Sequence, residues 1–193
     1  MRNIIALLIV VLCVSCGSDP IPKPKAFLRL EYPEAKYKKA QVEVPFSFET
    51  NNLATMVSSK QIMGATKSYG VNIEYPSLKG TIFLTYKSVE GNKDNLQTFL
   101  TDAYKLTEKH MIKADEIPYE DYINKDRNVY GRFSEVKGNV ASPAQFYLTD
   151  SINHFVTGSL YFYAKPNYDS ILPAANYLQK DIKHIMETIK WEE

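Results

Sequence analysis

Phe155-Val156-Thr157-Gly158-Ser159-Leu160-Tyr161-Phe162-Tyr163-Ala164 is the stretch on which the fold turns. Its β-branched and aromatic residues make it a strand, the last and most buried of the chain. Leu160 and Phe162 point one way, and Tyr161 and Tyr163 the other, because successive strand side chains alternate between faces. Large groups on both sides mean that both faces of the sheet are covered. Helices are needed on two sides.

Downstream, Pro166-Asn167-Tyr168-Asp169-Ser170 breaks the strand and caps a C-terminal helix. Ile171, Ala175, Leu178, Ile182, Ile185 and Ile189 form its single apolar stripe, and Trp191 pins its end. Upstream, Gln145 to Thr149 and Val129 to Val136 read as strands. Glu116 to Asp126 reads as a polar connection carrying Tyr119 and Tyr122. Before it, Leu96, Phe99, Leu100, Ala103, Leu106 and Met111 fall at helical spacing. Asp94 is placed as the N-cap, Gln97 completes a capping box, and the helix should end near Lys113.

Further back, Val71 to Tyr75 and Thr81 to Val89 form a hairpin around the turn Pro76 to Gly80. Residues 50 to 70 are polar and ambiguous. Val42 to Glu49 alternates as a half-buried strand, which Pro45 restricts to an edge or a bulge because proline cannot donate to a ladder. Ala26 to Tyr37 continues as an extended strand or arm along the surface. Gly131, Gly138 and Gly158 fit turns, bulges or close packing in sheet.

The order is strands, helix, strands, helix, with connections too short for parallel crossovers among the later strands. That gives an α+β domain, a mostly antiparallel sheet flanked by two helices. In element order it resembles the PsbP-like sandwich, a likeness of architecture that carries no function.

At the other end of the chain, Arg2 precedes the apolar run Ile4 to Val14, closed by Ser15-Cys16. About twenty apolar residues are needed to cross a bilayer, so this run reads as a secretory signal rather than a permanent span. A small residue directly before the lipid-bearing cysteine is the bacterial lipoprotein pattern. Ser15-Cys16 fits it, whereas Leu12-Cys13 does not. The expected organisation is a signal peptide over 1–15, a lipidated Cys16 and Pro-rich tether over 16–26, and a single α+β domain over 27–193. Pro20, Pro22 and Pro24 make the tether stiff and extended, roughly 25 to 30 Å long. Lys23, Lys25 and Arg29 could graze anionic head groups at roughly 1 kcal/mol each.

Removing residues 1–15 leaves about 178, enough for one real core. The signal carries off Arg2, leaving basic and acidic residues equal at 22 each. Without a basic excess, no nucleic-acid partner is implied. Both cysteines lie at or before the cleavage point, which excludes disulfides, thiol catalysis and thiolate metal sites from the mature domain.

Chemistry is scarce elsewhere. His110 and His184 sit in the two helices with no second ligand at i+3 or i+4, so neither helix carries zinc spacing. Asp150, Ser151 and His154 are triad residue types, but they share one tight hairpin and have no nucleophile elbow. The paired carboxylates Asp115-Glu116, Glu120-Asp121 and Glu192-Glu193 lie in polar surroundings that keep them ionised. Neither a glycine-rich phosphate loop nor a calcium loop occurs. No catalytic residue, metal site or cofactor is expected. The polar and aromatic run Gly138 to Pro173 consists mainly of turn formers and caps, and its two turns could also face a protein partner. The candidate interaction surface is Lys23, Lys25, Arg29, Asn139, Asp150, Ser151, His154, Asn167, Tyr168 and Asp169.

Across these segments the chain resembles the gliding motility lipoprotein family GldD. The likeness starts with Pro22-Lys23-Pro24-Lys25 and Phe27-Leu28-Arg29-Leu30 and continues through Tyr32-Pro33 and Tyr37. It is densest at Asn128-Val129-Tyr130-Gly131, Gly138-Asn139-Val140-Ala141-Ser142, Gln145-Phe146, Thr149-Asp150-Ser151 and His154-Phe155. It closes with Ser159-Leu160-Tyr161-Phe162, Pro166-Asn167-Tyr168-Asp169-Ser170 and Trp191. Ala26 stands where the family usually has glycine, which bears only on the local turn. The resemblance implies a non-enzymatic envelope lipoprotein needed for gliding, in a system linked to type IX secretion, with no active site and no cofactor.

The expected function is therefore contact with other envelope components of the gliding and secretion machinery. The membrane is reached through the lipid, and the domain faces the periplasm in preference to the cell surface. The alternatives are a lipid-anchored binding module for a small ligand or envelope glycan, and a hydrolase centred on His154. Metabolic labelling with a fatty-acid analogue checks the anchor: the label is expected on the wild-type protein and lost in Cys16→Ala.

Overall fold

The computed structural model describes residues 31–109, 113–163 and 168–192. The signal peptide, Cys16, the tether with Lys23 and Lys25, Arg29, His110, Met111, Ala164, Pro166 and Asn167 lie outside the described residues. In chain order the elements begin with β1 (Tyr37–Lys39), β2 (Phe46–Ser47), β3 (Glu49–Asn51), β4 (Met56–Ile62) and β5 (Ser68–Tyr75). A short 3-10 turn (Pro76–Leu78) leads to β6 (Gly80–Ser88) and helix α1 (Lys93–Glu108). There follow β7 (Ala114–Glu116), β8 (Tyr119–Asn124), β9 (Val129–Glu135), β10 (Lys137–Gly138), β11 (Ala144–Thr149) and β12 (His154–Phe162). Helix α2 (Tyr168–Thr188) and β13 (Lys190–Trp191) complete the chain.

The fold is α+β, as the element order indicates. Seven strands form one sheet in the order β4-β5-β6-β12-β11-β9-β8, every neighbouring pair antiparallel. β12 is the central strand; α2 covers one of its faces, while α1 covers the other at the Phe155 end and leaves Tyr163, on which the two-sided expectation rested, 68 % exposed. Val156, Leu160 and Phe162 join Ile82, Leu84, Phe146 and Leu148 in the main core under α2. Phe155, on the opposite face, packs with Val89, Phe99 and Ala103 under α1. The ring of Phe146 crosses β12 at Gly158, where a Cβ would lie 2.0 Å from the ring, so no larger residue fits there.

The α2 stripe is buried as its spacing requires. Leu178, Ile182 and Ile189 are 0 % exposed and Ile185 1 %, and each contributes about 1.5–3 kcal/mol by leaving water. The exposed ion pair between Lys183 of this helix and Glu120 of β8, at 2.7 Å, is worth about 0–1 kcal/mol. Packing, not charge, seats the helix.

Several local expectations are corrected. The N-cap of α1 is Asn92, not Asp94: Asn92 Oδ1 accepts from the backbone N–H of Asp94 at 2.8 Å and of Asn95 at 3.4 Å. Glu90 and Gly91, both at positive φ, turn the chain early enough to bring Asn92 into the extended cap position. The helix ends at Glu108, before Lys113, and Ala114–Glu116 is drawn into a ladder with β10. Val42 to Glu49 is not one strand. Residues 42–45 are not strand, Pro45 lying in a bend just before β2, and the ladder switches partner at Phe48: β2 pairs with β13 while β3 pairs with β1, and the Pro45 carbonyl accepts from Glu192 N–H at 3.0 Å. The polar stretches 50–70 and 116–126 hold β4 and β8, the two edge strands of the sheet. Edges are half-solvated and often carry charge, which erases the apolar alternation.

One polar residue interrupts the α2 stripe. Asp181 is 1 % exposed, and its carboxylate accepts from Tyr37 Oη at 2.9 Å and from Asn51 Nδ2 at 3.1 Å. Tyr75, fully buried, sets its hydroxyl beside this carboxylate, close enough to favour the ionised form yet outside good hydrogen-bond geometry. Burial raises the Asp181 pKa, and the hydrogen bonds from Tyr37 and Asn51 pull it back. Tyr177 extends the clamp. Its hydroxyl accepts from Asn51 at 2.9 Å and donates to the Pro33 carbonyl at 3.0 Å. The segment from residue 33 to 51 is thus tied to α2 by several contacts, of which the buried acid is the most enclosed. Removing it strands two donors, each costing about 1–3 kcal/mol. Urea unfolding of the full chain is expected to show Asp181→Ala destabilised by about 3 kcal/mol and Tyr37→Phe by about 1 kcal/mol.

Candidate functional site

The residues singled out in the sequence fall at two ends of the sheet. Asp150, Ser151 and His154 lie in the turn between β11 and β12, whereas Asn139 precedes β11 and Asp169 opens α2, at the opposite end of those strands. They do not form one continuous surface.

The β11–β12 turn is built from its own side chains. Asp150 Oδ1 accepts from the backbone N–H groups of Ile152, Asn153 and His154 at 2.8–2.9 Å. Thr149 Oγ1 donates to the His154 carbonyl at 2.6 Å and accepts from Ser151 N–H at 2.8 Å. Ser151 takes φ 67, the left-handed conformation at the tip. Backbone bonds from Val89 N–H to the Asn153 carbonyl and from Gly91 N–H to the Ile152 carbonyl, both 2.8 Å, fix the turn to the start of α1. A rigid loop results, with Ile152 exposed at its tip.

His154 does not meet Ser151. Its Nδ1 is 3.0 Å from Tyr86 Oη, and its ring stacks on Trp191 with centroids 5.1 Å apart and planes within 3°. The Asp150 carboxylate that a triad would need is committed to three backbone N–H groups. The arrangement therefore lacks both a nucleophile–base contact and an orienting acid. Trp191 Nε1 donates to the Asn128 carbonyl at 3.1 Å, which brings the β8–β9 turn to the same place. Arg127, Asn128, Asp150, His154, Lys190, Trp191 and Glu192 surround a shallow depression of about 380 Å³. Its charges are mixed, and a tryptophan lies at its centre.

A larger concavity, which the sequence reading did not find, lies on the α1 face of the sheet. Two rungs cross it. Tyr119, Ser134 and Gln145 pair across β8, β9 and β11, and Asp121, Arg132, Tyr147 and Thr157 pair across β8, β9, β11 and β12. Ala103, Tyr104 and Thr107 of α1 roof the space, and β7 and Ile117 form a wall around a volume of about 620 Å³. Arg132 Nε donates to Asp121 Oδ1 at 2.7 Å, and its guanidinium lies 4.0 Å from the Tyr119 ring centre. Gln145, 3 % exposed, accepts from Thr107 Oγ1 at 2.9 Å through Oε1, while its Nε2 has no partner. Turning the amide over only moves the vacancy to the oxygen. Such an unmet group costs about 1–3 kcal/mol. Spacing along the chain could not reveal this site, because its side chains come from five strands and a helix. The available signal was polar residues, Ser134 and Gln145, at strand positions that turn out buried.

His184, the other described histidine, approaches Glu49 Oε2 at 2.8 Å and stacks on Tyr37. Among the described residues no three His, Cys, Asp or Glu side chains converge as a metal ion requires. Among them, too, no helix is long and apolar enough to cross a membrane.

The family model described as "Gliding motility lipoprotein GldD" matches residues 17–191. No curated protein and no solved structure matches the chain.

Burial lowers the pKa of His154 from 6.5, with the Asp150 carboxylate partly opposing it. The folded state thus holds the ring neutral, while the unfolded chain takes up its proton first as pH falls. Stability is complete above the unfolded value and is lost as pH drops through it towards the folded one. Denaturant melts at pH 7.5 and 5.5 are expected to differ less in His154→Phe, which keeps the stack on Trp191 but cannot titrate, than in the wild-type protein.

Proposed function

Because the chain belongs to the gliding motility lipoprotein GldD family, we propose that it is a non-catalytic component of the gliding and type IX secretion machinery, acting by contact with other envelope proteins. The observation that carries this is the extent of the match, 17–191, which takes in the tether as well as the domain. A lipid on Cys16 holds the protein to its membrane, and the Pro-rich segment sets the domain off the surface, facing the periplasm.

The contact surface on this reading is the end of the sheet that presents Asp150, Ser151 and His154. The loop there is preformed by its own hydrogen bonds, so docking on it costs little ordering entropy. Ile152 supplies an exposed apolar tip, and Trp191 supplies a half-exposed aromatic ring, a residue type enriched at interface hot spots. Asn139 and Asp169, at the other end, belong to a second surface.

The decisive experiment is genetic. Deleting the gene in its own bacterium is expected to abolish spreading and surface display of adhesins, with rescue by the wild-type gene. Full rescue is not expected from Cys16→Ala or from Ile152→Asp, which puts a charge on the loop tip without disturbing its hydrogen bonds. A deletion strain that still glides would overturn the reading.

A further inference from the structure

The concavity beneath α1 takes no part in the contact role just described. From its geometry we propose that it is a binding site for a short neutral oligosaccharide. Its volume of about 620 Å³ falls inside the range of small-molecule sites. Its chemistry narrows the ligand. Among the described residues an anion finds no unpaired positive charge in the lining, since Arg132 is paired with Asp121, and Glu108, Asp115 and Glu116 line the space as well. An acyl chain would bury Ser134, Thr157 and the Gln145 amide against hydrocarbon, leaving them without partners.

A sugar suits what remains. Tyr104 and Tyr119 are 43 % and 63 % exposed, and such rings offer flat faces to the C–H side of a pyranose. The guanidinium of Arg132 lies against the Tyr119 ring and retains N–H donors beyond the one given to Asp121. The Gln145 amide, buried and with one end unmatched, is the second and independent observation. The nitrogen is closed to solvent as the side chain stands, so a small rotation must bring it to the ligand; a hydroxyl both donates and accepts, and then satisfies the amide whichever way it is turned. Mixed aromatic faces and neutral hydrogen-bonding groups around a preformed space are the features a neutral polyol requires.

The site is tested with the full-length lipidated protein in detergent, titrated calorimetrically with maltotriose, cellotriose, chitotriose and mannotriose. Saturable binding of at least one is expected. Tyr119→Ala, an exposed edge-strand position, should weaken it at least about tenfold, or 1.4 kcal/mol, with an unchanged melting temperature. Ile152→Asp, at the far end of the sheet, should leave it intact. Absence of binding by all four sugars overturns the proposal. So does binding indifferent to Tyr119→Ala, or tighter binding of an unrelated extended peptide or of a fatty acid used as controls. None of these results depends on gliding, so the saccharide site and the motility role stand or fall separately.

Discussion

β12 sits in the middle of the sheet with apolar groups on both of its faces, and everything else is arranged to keep both faces dry. On one side Val156, Leu160 and Phe162 require a long apolar helix, which α2 supplies. On the other, Phe155 requires only local cover, which α1 gives through Phe99 and Ala103. The burial is unequal, and that inequality leaves room on the α1 face. Beyond Ala103 the sheet facing α1 brings in Ser134, Gln145 and Thr157, and the concavity opens there.

The small ladders around the sheet tie the ends of the chain to this core. β1 with β3 and β2 with β13 hold the N-terminal segment and the last residues against α2, and Asp181 supplies the polar contact between them. A buried acid is a poor source of net stability, since its desolvation offsets most of its hydrogen bonding. It is effective at fixing where a segment lies, because any other placement leaves the carboxylate or its donors unpaired. In a lipid-anchored protein that segment is the one through which the anchor meets the domain.

The two surfaces differ in kind. The β11–β12 turn is a protruding, internally bonded loop beside a stacked tryptophan, suited to being gripped by another protein. The concavity under α1 is a half-open hollow lined by aromatic, aliphatic, neutral polar and acidic side chains, suited to gripping something smaller. They lie on different parts of the sheet, and no residue lines both. A single domain can therefore carry both contacts without competition between them.

The sequence by itself determined the α+β class, the helix on each face of β12, the α2 stripe and the family, because each is written in local alternation, helical spacing or a continuous run of residues. For Gly158 it left turn, bulge and close packing open, and the Phe146 ring decided for close packing. Edge strands β4 and β8 escaped notice since solvent on one side removes the alternation that marks a strand. The change of partner at Phe48 and the cap at Asn92 depended on which partner each backbone group found. Only the tertiary structure decided that Asp181 is buried, that His154 stacks on Trp191 rather than facing Ser151, and that Tyr119, Arg132, Gln145 and Thr107 share one space. Those groupings join residues far apart in the chain, and a linear pattern cannot encode them, since they exist only once antiparallel register has set the strands side by side.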